Sequence, residues 1–264
     1  MGDIYGYYNS YSENDRLDRR RSRNLEKITT MHYLEPFLSK DKTLADIGCG
    51  TGAYCFELAG KTRSVTAVDL IDRHIAQIDE RIAVEKTPNL KAHVASATDL
   101  VPLETASFDV AICLGPLYHL QKPDDRRRCL DECGRILRKD GILALSYINK
   151  QATVSYFAKN RKHFSRELVQ AFEDDDYGAF SSFDDFLSIA YCTDPEAMAD
   201  EAIQSGFCVM KNLAADGISY FISEQLEEMD ESQWKAYVDY HLRHCEDENT
   251  FGMSSHGLLI CRKG

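Results

Sequence analysis

The sequence predicts an α/β fold: a doubly wound, mostly parallel seven-stranded sheet with an antiparallel last strand and a helical insertion. Three observations carry this expectation. Between residues 43 and 147, short apolar β-branched runs alternate with amphipathic helical stretches, the pattern of a parallel sheet covered on both faces. A glycine-rich loop closes the first of these runs, where such sheets bind ligands. The chain's 264 residues, 44% hydrophobic and 28% charged, suit one globular domain with an embellishment, since domains usually run to roughly 100–200 residues.

Taken in order, the chain begins with Tyr5, Tyr7, Tyr8 and Tyr11, then Glu13, Arg16 and an amphipathic helix through Met31 and Leu34. Strands are expected over residues 43–47, 65–69, 90–94, 110–114 and 142–147. Ile71, Ile75, Ile78 and Ile82 recur at helical spacing between two of them. So do Leu130, Cys133 and Leu137, with Asp124 as a cap, and Lys139-Asp140-Gly141 is a turn into the next strand. Residues 151–193 form the helical insertion. They lack a strand pattern, carry the acidic run Glu173-Asp174-Asp175-Asp176, and hold Phe157, Phe164, Phe172, Tyr177, Phe180, Phe183 and Phe186, which require burial. A helix capped by Asp194 ends at Gly206, a strand covers 207–214, and a helical pair includes Trp234, Val238, Leu242 and Cys245. A last strand over 257–262 is expected to run antiparallel to the one before it.

Composition excludes several classes. A formal net charge of −12 disfavours nucleic acid, whose non-specific affinity rests on Lys and Arg neutralising phosphates. Arg19-Arg20-Arg21-Ser22-Arg23 and Arg126-Arg127-Arg128 read as solvated helix faces paired with Asp18, Asp124 and Asp125. No stretch approaches the ~20 apolar residues that span a bilayer, and the first residues do not resemble a secretory leader, so a cytoplasmic protein is expected. The nine cysteines read as reduced core thiols, with Cys55, Cys113, Cys208 and Cys261 in core segments. Cys129 and Cys133, or His241, His244 and Cys245, do not supply four ligands at a zinc spacing, so no structural metal is expected.

The candidate site is Asp46-Ile-Gly-Cys-Gly-Thr-Gly52. Glycines let a backbone turn sharply and come within contact of a ligand, and the helix that follows offers free N–H groups. Gly48, Gly50 and Ala53 also satisfy the relaxed dinucleotide pattern G-x-G-x-x-A. Asp46 discriminates between the two ligands: a carboxylate there suits a cationic amino-acid group and opposes a pyrophosphate.

This segment resembles the first motif of the class I S-adenosylmethionine-dependent methyltransferases of small-molecule type, and the resemblance extends through Tyr147. It implies a Rossmann-like methyltransferase fold over residues 1–264, residues 1–40 as an N-terminal helical lid, and 151–193 lying over the acceptor site. It implies S-adenosylmethionine as cofactor and S-adenosylhomocysteine as product. The loop residues Gly48, Cys49 and Gly50, with Asp46 and Tyr54, would hold the methionine part. Asp69, followed by Leu70, matches the acid that binds both ribose hydroxyls, as a carboxylate's two oxygens allow. Ser96, Ala97 and Thr98 match the adenine-contacting segment. Residues 107–114 resemble the motif whose strand end, at Leu114, lies beneath the reacting centre. Tyr11 and Arg16 would close over the cofactor and pair its carboxylate; a packed terminal helix with exposed charges is the alternative. Asp46 or Asp69 can instead cap a helix, and Asp109 is structural at its position.

Methyl transfer asks the protein chiefly for positioning, with a base only for a weakly acidic acceptor. The acceptor candidates are His119, as a base, and Tyr118, as an orienting group, in Gly115-Pro116-Leu117-Tyr118-His119-Leu120. His119 can equally cap a helix or hold the loop. His256 is a third candidate. The functional expectation is a transferase that methylates O, N or S of a small molecule, acting as a monomer or homodimer. The open alternatives are a tRNA or protein methyltransferase, a non-enzymatic binder of the cofactor, and a nucleotide oxidoreductase.

Overall fold

The computed structural model describes residues 4–10, 17, 19–161 and 163–264. Five parallel strands form its frame: β1 (Thr43–Ile47), β2 (Ser64–Asp69), β3 (Leu90–Val94), β4 (Phe108–Cys113) and β5 (Leu137–Asn149). The short β6 (Cys192–Thr193) joins the end of β5, followed along the chain by β7 (Phe207–Ala214) and β8 (His256–Lys263). The order across the sheet is β3-β2-β1-β4-β5-β8-β7, and β8 runs antiparallel to both neighbours. β6 is an eighth strand inside the stretch expected to be helical; two residues are too few to leave a periodic signal. β5 begins earlier than expected, at Leu137. Lys139-Asp140-Gly141 is a kink within it: Asp140 has φ 60 and the register with β4 shifts there.

β1 sits in the middle, and Leu44 to Ile47 are all buried, which is why its sequence lacks a polar alternation. One face carries α2 (Arg21–Leu34), α3 (Cys55–Ala59) and α4 (Asp72–Glu85), with Leu34, Leu58, Ile75 and Ile78 packed on Leu44, Val65 and Ile112. The other carries α5 (Pro123–Ile136) and α8 (Pro195–Gln204), with Leu130, Ile136 and Met198 against Ile47 and Leu145. Neither expected cap acts through its side chain. Lys122 precedes α5, with Pro123 in the first turn, and Asp194 precedes α8 without a capping bond. Lys–Pro and Asp–Pro junctions set these helix starts by backbone restriction instead.

Within residues 1–40, helix α1 (Ile4–Ser10) contributes Ile4, Tyr7 and Tyr8 to a cavity wall, whereas α2 has Leu25 and Leu34 fully buried. Tyr11, Glu13 and Arg16 lie outside the described residues.

The insertion holds α6 (Lys150–Asn160) and α7 (Arg166–Glu173) with two short 3-10 turns. Asn149 starts α6 by accepting from Gln151 N at 2.9 Å. Phe157, Leu168, Phe172, Phe180 and Leu187 build a third apolar cluster on Tyr118 and Ile148, at the carboxyl end of the sheet. Phe164 departs from the expectation and is exposed, as is Cys208 on β7. Helices α9 (Ser223–Glu228) and α10 (Glu231–His244) complete the excursion between β7 and β8.

The arginine runs also differ from solvated faces paired with near neighbours. Arg126 is buried: it pairs with Glu201 at 2.8 Å, donates to the carbonyls of Leu120 and Gln121, and stacks 3.6 Å from the centre of the Tyr191 ring. Arg21 reaches Glu231 across 210 residues, while Arg128 does pair with Asp125. Three thiols, Cys113, Cys129 and Cys133, lie within 4.8 Å of one another in the core, one short of a closed tetrahedral set.

Candidate active site

The chain order reverses at β1 and β4: β2 and β3 extend the sheet one way, β4 and β5 the other. The loops after β1 and β4 therefore diverge and leave a crevice at their carboxyl ends. A cavity of about 830 Å³ occupies it, a size that suits a cofactor with a small second ligand.

The glycine loop forms one end. Gly48 has φ 73, and a Cβ there would stand 2.5 Å from Pro116, so glycine is what lets the loop after β4 pack on the loop after β1. Gly50 has φ 54, and a Cβ would meet nothing within 4 Å, leaving its face open. Gly48 and Cys49 donate to Val68 O at 2.8 and 3.0 Å, tying the loop to β2.

Asp46 is 3% exposed and lines the cavity, and among the described residues nothing donates a hydrogen bond to it. Burial, with the nearby charge of Asp69 second, pushes its carboxyl up to about 8. A cation in the cavity would restore the anion. Asp69 accepts from Gly50 N at 2.8 Å through Oδ2, and from Ile71 N at 2.8 Å and His74 Nδ1 at 3.1 Å through Oδ1. Of a carboxylate's roughly four acceptor positions, three are engaged. Asp69 thus organises the glycine loop and the turn into α4, and it also lines the cavity.

Leu70, Ser96, Ala97 and Leu114 line the same wall, as do Cys49 and Tyr54. Burial raises the Cys49 thiol well above its usual value, so it acts as an apolar contact. Thr98 is not brought to the cavity: its hydroxyl lies 2.8 Å from Ser96 Oγ and its N–H donates to that oxygen, holding the turn.

The other end is assembled from distant segments. His119 Nδ1 lies 3.1 Å from Ile189 O, so this nitrogen carries the proton, and Nε2 lies 2.6 Å from Tyr8 Oη as acceptor. The Tyr118 hydroxyl donates to Leu114 O at 3.0 Å, and Tyr191 N donates to Tyr118 O at 2.7 Å. The 116–119 turn is therefore stitched to the insertion, which supports a loop-holding role for His119. Helix α1 bridges both ends: Arg73 donates to Tyr8 O at 2.6 Å, and Tyr7 meets Phe186 at 6.1 Å between ring centres. His256 also lines the cavity.

Several wall residues went unmarked in the sequence. Arg23 lines the cavity and has no side-chain partner among the described residues; its place inside an arginine run hides it. His74 stands five residues after Asp69, a spacing that could have flagged it as one turn into the following helix. Tyr220, also on the wall, carries no local signal, nor does Asp216, which is fully buried behind His256. Asp109 remains structural, accepting from Thr43 and Arg138 beneath the sheet.

A switch-point glycine loop, a buried acid before it and a second acid ending the next strand define a protein of the class I methyltransferase fold. Residues 45–145 match the family model described as a methyltransferase domain. The ubiquinone/menaquinone biosynthesis C-methyltransferase of Campylobacter jejuni is 31% identical over 147 residues, 54% of this chain and 60% of that protein. This chain thus matches less than two thirds of that relative's length. Among solved structures, an S-adenosylmethionine-dependent methyltransferase from Mesorhizobium loti has a TM-score of 0.58 at 16% identity, over 90% of this chain and 100% of that one. The cyclase SpnF has the same TM-score and identity over 90% and 80%. The sequence likeness is carried by residues 45–145, where the chain is similar to methyltransferases. The likeness to solved structures speaks for the fold, which hosts more than one chemistry.

Proposed function

We propose that this protein transfers a methyl group from S-adenosylmethionine to a small-molecule acceptor, releasing S-adenosylhomocysteine. The observation that carries the reading is one cavity in which Asp46, the glycine loop and Asp69 stand at one end and an aromatic, histidine-bearing wall at the other. The Asp46 carboxyl, which accepts no hydrogen bond from the described residues, suits the cofactor's ammonium, and Arg23, which also lines the cavity, suits its carboxylate. Asp69 has one acceptor position left for a ribose hydroxyl, and His74 yielding its bond would release a second. Ala97 and the Ser96 turn offer an adenine a flat backbone contact. Bound there, the cofactor supplies a methyl group already activated by sulfonium charge. The residues then orient the acceptor and exclude water.

Carbon joins oxygen, nitrogen and sulfur as a proposed acceptor atom, because the Campylobacter relative is named a C-methyltransferase. The net charge of −12 and the roofed cavity favour a small molecule over RNA or a protein side chain. We place the activity in the cytoplasm, in a monomer or homodimer; among the described residues no helix is long and apolar enough to cross a membrane.

Calorimetry with S-adenosylhomocysteine tests the reading. Binding in the micromolar range or tighter is expected, weakened by about 1–3 kcal/mol in Asp69→Ala, as for hydrogen bonds to a charged group. No heat and no thermal shift with either cofactor form would end it. Binding without methyl transfer to any member of a small-acceptor panel would favour a cofactor-binding protein instead.

A further inference from the structure

Two histidines line the cavity near Tyr118, with ring centres 4.8 Å (His119) and 6.3 Å (His256) from that of Tyr118. Their support differs. His119 Nδ1 faces a neutral backbone carbonyl, Ile189 O. His256 Nδ1 lies 2.7 Å from Oδ2 of Asp216, a carboxylate with no exposed surface. Asp216 is itself held by the Ser254 hydroxyl at 2.8 Å and the His256 backbone N–H at 3.2 Å. Ser254 Oγ in turn accepts from Asp216 N and Gly217 N. A carboxylate fixed this way orients an imidazole, sets its tautomer and stabilises the imidazolium that forms when the far nitrogen takes a proton, whereas a carbonyl does only the first two.

We infer that His256, positioned by Asp216, is the proton acceptor for a hydroxyl-bearing aromatic substrate, and that His119 is a loop-holding residue. The inference rests on the methyltransferase reading and names the acceptor class and the base within it. An aromatic substrate follows from the walls: Tyr118, Tyr156, Phe157, Phe186 and Tyr220 all line the cavity, and ring faces and edges favour a flat partner. In the reaction the acceptor's O–H bond breaks and its proton moves to Nε2 of His256. The oxygen's electron pair forms the bond to the methyl carbon, and the carbon–sulfur pair returns to sulfur. The sulfonium's positive charge ends on the imidazole beside Asp216.

Among the described residues, the titratable groups facing His256 include Asp216, Glu26 of α2 with Oε2 3.7 Å from Nδ1, and the phenols Tyr118 and Tyr220, the latter 5.8 Å away between ring centres. His241 also feels the Asp216 charge, which favours its protonated form, but burial outweighs this and lowers its basicity.

The probe is 4-nitrophenol, whose anion absorbs where its neutral form does not, added to the protein saturated with S-adenosylhomocysteine at a pH below the phenol's own pKa. A phenolate band is expected on binding, reduced about tenfold or more in both His256→Asn and His256→Gln, a change of one pKa unit or more. Retained S-adenosylhomocysteine binding in these variants shows that they are folded. Asp216→Asn should shift the midpoint of the band's pH profile upward while keeping cofactor binding, and ¹⁵N NMR should register loss of the hydrogen-bonded Nδ1 proton of His256. No band in the wild type, a band that persists in both His256 variants, or a band lost in His119→Asn but kept in His256→Asn overturns the inference. Failure of S-adenosylhomocysteine to bind the wild type is a separate result that removes the methyltransferase reading itself.

Discussion

The two ends of the cavity are built by different means. The cofactor end is made from the tips of β1 and β2 and the turns that follow them, so Asp46, Gly48, Gly50 and Asp69 converge within one βαβ unit. Its chemistry is largely backbone geometry and two buried carboxyls. The acceptor end draws on α1, the turn after β4, α6, the insertion and the start of β8, tied by bonds such as Tyr8 to His119, 111 residues apart. The contrast teaches that one end is specified by residues close along the chain, whereas the other depends on how remote segments dock.

Breaking the scaffold of the acceptor end is expected to give the largest effect. Arg126→Ala removes a buried guanidinium that holds Glu201 and the carbonyls of Leu120 and Gln121, at a loss of about 3 kcal/mol in folding stability. Denaturant melts check this. Below the transition, affinity for S-adenosylhomocysteine should change little if the two ends are as separate as the fold suggests.

An intermediate effect sharpens the cofactor end. Asp46 has its carboxyl raised to about 8 by burial, above its unfolded value, so the folded chain holds a proton that the unfolded chain gives up first. Stability should therefore fall as pH rises from the ordinary carboxylate range toward 8 and then level off. A ligand ammonium reverses this by drawing out the proton. Affinity for S-adenosylhomocysteine should rise with pH by up to about tenfold per unit toward 8, with this slope absent in Asp46→Asn. A flat profile in the wild type would remove Asp46 as the ammonium partner.

The smallest effect should come from the bridge between the ends. Tyr8→Phe loses the bond to His119 Nε2 and should cost about 1 kcal/mol, read as faster hydrogen exchange in α1 with little change in melting temperature.

Much of the frame was legible from the chain alone. The boundaries expected for β1, β3 and β7 agree with the structure; for the central parallel strand β1, burial on both faces leaves an uninterrupted apolar run. β6 and the early start of β5 were not legible: a two-residue strand and a kinked one have no period to detect. Arg126 was misread because an arginine triplet on a helix looks solvated until Glu201, 75 residues on, packs over it. In the site, Thr98 stood next to the right segment but turns its hydroxyl to Ser96. Arg23, His74 and Asp216 carry no motif.

By itself, then, the sequence determined the sheet's central strands, the glycine loop and the two acids at successive strand ends, because those features depend on residues close along the chain. Only the tertiary structure decided the acceptor end. It set a carbonyl behind His119 and a buried carboxylate behind His256, it packed Leu25 and Leu34 of α2 into the core while α1 lined the cavity, and among the described residues it gave Asp46 no donor. The physical reason is that an imidazole's or a carboxyl's chemistry is set by which groups surround it and how much water they exclude, and at this site those groups come from segments far apart in the chain.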